Sequence, residues 1–582
     1  MTRRCGFGAM INAALTFVLC TLVPIAATAQ PAPTMDQALA AIAAYAPRSL
    51  AEQGAPGMSV AITDRTHTLK IIALGYANVD SKAPVTPAVR FPIGSISKSM
   101  TALLLLQQHD RGLVNLNAPV QTYLPWWKID SNGKPIVVHQ LLSHTAGIPD
   151  DFTDVASYGF AVAALRNART VFAPGTSWSY SNDGFATVGA IAAAVGRRPW
   201  QDQIATDVFA RIGMTRSSAY FTPELMADAA VGYLIRDQDR TVLENPTLVP
   251  AQNYDFVDPA GSVISTPADM ATYMRLYLNG GKTEDGRQLI STASFAAMTQ
   301  ADKLSDGKPA GAAGAGLAEW PAFYTRYGYG LSIFDTDGDH LIGHTGGISG
   351  YTACMQANLT RGFGVAAMSN LVEAPLHPCA IVRYAMAVLR AQSAGEPLPP
   401  APAPPADPAA ISNASDYAGR YASRDGDFMT VTANGRTLTI NDAGNSHRMV
   451  GQGGDSFATD DPRLRTYVLN FHRTRKKTID GFNYGSTLYF NASYRGPHSF
   501  SHPSAWDAYA GRYENVIWGE PAVTRVVIVG NRLTFDGVDP LIPQKDGSFV
   551  AGSSRVRFDT PAEGLMQRMW IDGGDFYRVG LP

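Results

Sequence analysis

Three tetrapeptides in this sequence place a serine three residues ahead of a lysine: Ser95-Ile96-Ser97-Lys98, Ser131-Asn132-Gly133-Lys134 and Ser305-Asp306-Gly307-Lys308. A serine hydroxyl is a weak nucleophile until a neighbouring base takes its proton, and a partly buried lysine amine can serve as that base. The spacing works only on a helix, where positions i and i+3 share a face. The second and third copies lie among Gly, Asp and Asn just ahead of a proline, a turn composition that holds neither side chain against the other. Ser95 instead follows a strand-like stretch at 91–94 and opens an apolar run through Met100, Leu103, Leu104, Leu105 and Leu106. A helix beginning there carries Lys98 beside Ser95 and sets the serine near unpaired backbone N–H groups, which can hold an oxyanion. The plainer reading of the same residues is a helix-capping serine with a lysine reaching for solvent.

Two further segments hold proton-carrying side chains. Tyr180-Ser181-Asn182 follows the turn residues Pro174-Gly175. A tyrosine carries protons usefully only where positive charge lowers its pKa, which Lys98 would supply; by itself the tripeptide is ordinary loop sequence. His344-Thr345-Gly346-Gly347 ends a strand-like stretch, and the paired glycines let backbone approach a ligand closely. His144-Thr145-Ala146-Gly147 is its rival; it follows Leu141-Leu142-Ser143, a helix end, so His144 is expected to cap or bridge that turn.

The elements that must position these residues are mixed in type. Periodicity predicts a helix over 34–48, strands over 58–63 and 69–76, a helix after Ser95 and another over 202–212. Strand patterns return at 329–334, 340–344, 351–357 and 364–368, and a helix over 381–389 closes the segment. Sheet elements thus stand at both ends with a helical region between them. The Gly/Ala-rich stretch 308–318 is expected to be a mobile loop. Seven prolines between 397 and 408 mark a stiff extended spacer, set as a linker over 396–412. Beyond it Tyr417-Ala418-Gly419-Arg420-Tyr421 recurs 92 residues later as Tyr509-Ala510-Gly511-Arg512-Tyr513. Each copy precedes two alternating apolar runs split by a short turn, Asn434-Gly435 in one and Gly530-Asn531 in the other. Two small antiparallel β domains, at 413–500 and 501–582, are expected, each a barrel.

A chain of 582 residues is too long for one domain. Lys+Arg 47 against Asp+Glu 49 leaves no positive excess to hold a phosphate backbone, so nucleic acid is not an expected partner. Arg3 and Arg4, an apolar run over 13–27 and the small residues Ala27-Thr28-Ala29 read as a signal peptide over 1–29, with a periplasmic or secreted destination. No later stretch reaches the roughly 18 apolar residues of a membrane span. Of four cysteines only Cys354 and Cys379 lie outside the signal; an oxidising compartment lets them pair, and two separate buried thiols are the alternative. Neither a His-Glu-x-x-His nor a phosphate loop occurs, so no metal or cofactor is expected. No Gly-x-Ser-x-Gly elbow occurs either.

Taken in order, the three segments resemble the motifs of the serine β-lactamase and penicillin-recognising superfamily, in the branch of class C β-lactamases, DD-peptidases and D-aminopeptidases. Ser95-Ile96-Ser97-Lys98 matches the first motif, Tyr180-Ser181-Asn182 the second and His344-Thr345-Gly346 the third, at separations of 85 and 164 residues. The resemblance covers about 35–395, and the repeated β domains are similar to the two lipocalin-like barrels of D-aminopeptidases. It implies an α/β fold, an antiparallel sheet flanked by helices plus a helical region, over 30–395. It implies Ser95 as nucleophile, with Lys98 and Tyr180 sharing its proton. Asn182, His344, Thr345 and Gly346 would bind substrate, and the N–H groups of Ser95 and Gly347 would form the oxyanion hole. β-Lactamases of this branch carry lysine where His344 stands. A neutral imidazole binds a carboxylate less well, so the expected substrates are small molecules or short peptides cleaved at an amide, then esters, then β-lactams. A non-catalytic penicillin-recognising protein is the alternative from another class.

Overall fold

The computed structural model describes residues 31–149, 157–235, 247–251, 258–311, 325–336, 338–372, 378–405, 407, 409–442, 444–517, 520–552, 554–571 and 574–579. The expected signal peptide lies outside them, as does the Gly/Ala-rich stretch beyond residue 311.

Seven antiparallel strands form the first sheet: β1 (Gly57–Asp64), β2 (Thr68–Asn78), β3 (Ala83–Pro84), β4 (Ser332–Thr336), β5 (Asp339–Ile348), β6 (Tyr351–Asn358) and β7 (Phe363–Ser369), ordered β3-β2-β1-β7-β6-β5-β4. Chain ends far apart in sequence therefore meet at its centre, where Val60 faces Ala367. The central strands read as unbroken apolar runs because both faces are covered. Met58, Val60, Ile62, Val365 and Ala367 join one core, whereas Ala366 and Met368 join the other, as a period of two requires.

Helix α1 (Met35–Gln53) covers one face together with the helix Cys379–Ala394. Its start is set by a Thr34–Gln37 capping box and its end by Gly54 at φ 67°. It runs past Pro47, five residues beyond the expected end, because Tyr45, Ala46, Ser49 and Gln53 stay buried on the same side. Packing here outweighs the backbone bond that proline forfeits. Helix α2 (Ser97–Asp110) and the helix Pro267–Leu278 pack on the opposite face. The helical region lies between the two halves of the sheet in sequence; in it the stretch Trp200–Ile212 is continuous but widened across Ile204–Phe209. Among the described residues no helix is long and apolar enough to cross a membrane.

The described residues of the Pro-rich stretch form neither helix nor strand, and some of them are tied to the preceding segment. Leu398 packs on the core beside α1, and Arg48 donates to the Pro402 carbonyl. Beyond it eight strands from Gly419 to Phe490 close into a barrel. The next nine form one antiparallel sheet whose edge strands, Asp539–Pro540 and Ile542–Pro543, are neighbours in sequence joined by Leu541, so the sheet must curl back to meet itself. In each repeat the second tyrosine hydroxyl donates to the first tyrosine's carbonyl at 2.8 Å, Tyr421 to Tyr417 and Tyr513 to Tyr509. The repeated motif is thus a corner that ties a short 3₁₀ turn to the first strand of each sheet.

Cys354 on β6 and Cys379 at the start of the last helix of this segment are joined as a disulfide. Both are buried, so the bond staples the helix to the middle of the sheet.

Candidate active site

The chain enters the site along the short strand Phe91–Pro92, which pairs with Ile264–Ser265. It then turns through a single 3₁₀ turn, Gly94–Ile96, directly into α2. Ser95 therefore sits in the turn before the helix, and Lys98 one residue inside it. Gly94 takes φ 50°, a left-handed conformation for which glycine is suited. Ser97 fixes the turn from within: its hydroxyl donates to the Gly94 carbonyl at 2.6 Å and accepts the Val263 N–H at 3.0 Å.

Lys98 is fully buried. Burying an ammonium is costly unless its donors are met, and three acceptors surround this one. Nζ donates to Ser95 Oγ at 3.0 Å, to Asn182 Oδ1 at 2.5 Å and to the Ala260 carbonyl at 2.9 Å. It also lies 4.8 Å from the centre of the Tyr180 ring. Lys98 is thus the point at which the first two motifs meet. Asn182 reaches it because Ser181 caps the helix Asn182–Gly196, accepting the Gly184 N–H at 2.9 Å and starting that helix beside α2.

The third motif arrives on β5. The sequence pattern ends that strand at His344; in the structure it continues to Ile348, with Gly346 opposite Ala353 and Gly347 opposite Thr352. The glycines are required by contact. A Cβ on Gly346 would collide with the Ile93 carbonyl, and one on Gly94 would stand 2.7 Å from the Gly347 carbonyl. Backbone packs directly on backbone here, bringing the strand alongside the Ser95 turn. Gly347 is the exposed residue in an otherwise buried end of β5, and Ser95 is half-buried beside it. Their N–H groups belong to adjoining backbone at the open side of the site.

His344 itself is fully buried rather than lining an open surface. Its Nδ1 donates to the Thr345 carbonyl at 2.5 Å, which leaves Nε2 to accept the Tyr327 hydroxyl at 2.8 Å. Burial, with the Lys98 charge second, pushes its pKa down to about 3, so the imidazole is neutral at pH 7. Its ring lies 6.3 Å from that of Tyr180. Thr345, also buried, contributes that carbonyl.

Three participants give no sign of themselves in the sequence. Ala260 acts through a backbone carbonyl, which any residue supplies, so its side chain carries no signal. Nothing in the sequence pairs Tyr327 with His344 until β5 places the two side by side. Asp258 accepts the Ala260 N–H at 2.7 Å, and burial raises its pKa although Lys98 pulls the other way. The two rival serine–lysine pairs stay apart from this site's chemistry: Ser131 Oγ donates to the Lys134 carbonyl at 2.5 Å, and Lys308 pairs with Asp306 at 2.7 Å.

Residues 35–390 match the family described as Beta-lactamase, and the chain belongs to that family. With a serine and a buried lysine in contact at the head of α2, its class is that of serine hydrolases. The chain is 28% identical over 381 residues to penicillin-binding protein 4 of Amycolatopsis lactamdurans, covering 64% of this chain and 94% of that protein. It is 25% identical over 394 residues to penicillin-binding protein 4* of Bacillus subtilis, covering 64% and 80%. Among solved structures, the octameric penicillin-binding protein homologue from Pyrococcus abyssi is similar in fold, with a TM-score of 0.53 and 23% identity over 78% of this chain and 100% of that one.

Proposed function

We propose that the protein is an exported hydrolase that cleaves small peptides or amides through an acyl-enzyme on Ser95. The observation that carries the reading is the position of Lys98 Nζ, in contact with both Ser95 and Asn182 and under the Tyr180 ring. In the first step the Ser95 hydroxyl gives its proton to the Lys98–Tyr180 pair, whose vacant proton site is the Tyr180 phenolate oxygen beside the Lys98 ammonium, as Oγ bonds to the substrate carbonyl carbon. The carbonyl oxygen gains the electron pair and is held by the N–H groups of Ser95 and Gly347. Tyr180 passes the proton to the leaving nitrogen, the C–N bond breaks, and an ester on Ser95 remains. Water then adds to that ester, its proton travelling the same route back to Oγ. Asn182 orients the substrate amide while it anchors Lys98.

The substrate preference rests on His344. A neutral, buried imidazole offers no fixed cation for a substrate carboxylate, which favours amides without an essential carboxylate; the ranking of D-residues first among them rests on the resemblance to D-aminopeptidases alone. The two relatives named as penicillin-binding proteins support a site that a β-lactam can acylate, with cephalosporin turnover expected to be slow. Fluorophosphonate labelling followed by peptide mass spectrometry tests the nucleophile. A panel of D- and L-amino acid amides, esters and a chromogenic cephalosporin tests the preference. An adduct anywhere but Ser95 overturns the first; a specificity constant highest for the cephalosporin overturns the second.

A further inference from the structure

We infer that His144 is the positioning residue that fixes Tyr180, an inference that rests on the proposed role of Tyr180. His144 holds the backbone on both sides of that tyrosine. Its carbonyl accepts the Ser179 N–H at 3.0 Å, and its Nδ1 accepts the Ser181 N–H at 3.0 Å. Its ring lies against the Tyr180 ring, with centroids 4.4 Å apart. Three contacts from one residue thus fix where the tyrosine's backbone runs and how its ring is tilted. Neighbouring bonds extend the same seam, Thr145 accepting the Gly175 N–H at 2.7 Å and Gly147 the Val171 N–H at 2.8 Å.

The cost of this placement is visible at His144 itself. Its backbone adopts φ 60°, uncommon for a residue other than glycine. The side chain is 2% exposed, and among the described residues Nε2 has no hydrogen-bond partner. Strained backbone and an unmet buried polar atom persist where the surrounding structure over-determines them, most often at functional sites. Because Nδ1 accepts the Ser181 N–H, the neutral ring carries its proton on Nε2, and a proton on Nδ1 would break the clamp. The charged and titratable groups around the ring are Lys98, His344, Tyr180 and Tyr327. Burial first, then Lys98 and His344, keeps the imidazole neutral, so the clamp is closed wherever the protein is folded near neutral pH.

The test is the rate and pH dependence of fluorophosphonate labelling, which needs no knowledge of the natural substrate. His144→Ala removes the Nδ1 acceptor and the ring. His144→Asn keeps an oxygen near the Nδ1 position and tolerates the left-handed backbone. The expected result is a maximal labelling rate about 10- to 100-fold lower in the Ala variant, with half-saturating probe concentration changed less than about threefold and a displaced pH profile. His144→Asn should recover most of that loss. The inference is overturned if His144→Ala keeps the wild-type rate and pH profile. It is equally overturned if both variants lose activity only in step with their melting midpoints, the pH profile of the folded fraction being unchanged. Failure of the underlying reading looks different: Ser95→Ala would still label, or Tyr180→Phe would keep the wild-type rate and pH profile, whatever His144 does.

Discussion

The turn at residues 94–98 and the turn at 305–308 share one spacing and differ in nearly everything that matters to chemistry. Lys98 is fully buried and its Nζ contacts Ser95, Asn182 and the Ala260 carbonyl. Lys308 has 77% of its side chain exposed and pairs with Asp306 in its own loop. The first lysine has exchanged water for a set of protein acceptors that includes the serine. The second keeps its water, and its exposed ion pair contributes little to stability. A spacing of three says which side chains can meet; exclusion of water and the available acceptors decide whether they do. The same contrast separates His344, sealed between Tyr327 and the Thr345 carbonyl, from a histidine free to titrate.

The most direct way to break the comparison is Ser95→Ala against Ser305→Ala. The first should abolish fluorophosphonate labelling and lower hydrolysis by at least about 10³-fold, the second should change neither; labelling at Ser305 would erase the distinction. Next, Lys98→Met keeps the volume and removes the charge and donors. Turnover should fall by about 10²- to 10⁴-fold, read as the specificity constant on the best substrate of the panel, with the protein still folded by circular dichroism.

The buried imidazole sharpens the contrast through pH. The folded pKa of His344 lies near 3 against an ordinary 6.5, so the unfolded chain binds the proton more readily. The stability this burial provides is present above pH 6.5 and is lost as the pH falls from there toward 3, at up to about 1.4 kcal/mol per pH unit. Urea unfolding at pH 7 and pH 4 should therefore show a larger loss in wild type than in His344→Gln; equal losses would mean that the ring is solvated.

A smaller effect is expected from His344→Lys, which adds a fixed charge beside Tyr180. The ratio of specificity constants, cephalosporin over amino acid amide, should rise about 5- to 10-fold at low salt and less at high salt. A ratio moving the other way would remove the proposed reason for ranking amides first. Smallest of all, Lys308→Ala should shift stability by less than about 0.5 kcal/mol, measured by chemical denaturation, and leave turnover unchanged.

Much of the site is legible in the sequence. Ser95 and Lys98 stand out because an apolar run follows them, whereas Asn182 is picked out only by the resemblance of Tyr180-Ser181-Asn182 to a family motif, and the helix it begins is seen only in the structure. The strands near the chain ends can be read as runs, though not as neighbours. Strand patterning puts His344 in the right strand but carries no sign of its depth. Its burial depends on Tyr327, and the continuation of β5 depends on contact with Ile93 and Gly94, both remote in sequence. Local sequence assigns His144 only to its own turn, because nothing nearby announces that Ser179 and Ser181, 35 and 37 residues later, donate to it.

Sequence alone determined what each segment could become. Periodicity marked helices and strands, turn residues marked their ends, and a serine three residues before a lysine at the head of an apolar helix marked a candidate nucleophile. Only the tertiary structure decided which of those possibilities share a space. Hydrogen bonds from Lys98 to Asn182 and Ala260, the clamp of His144 on Tyr180, and the bond of Cys354 to Cys379 all join residues that are far apart along the chain or on different elements. The physical reason is that local patterns are governed by backbone geometry over a few residues. The environment of a buried polar group is governed instead by whatever the folded chain brings within about 3 Å of it.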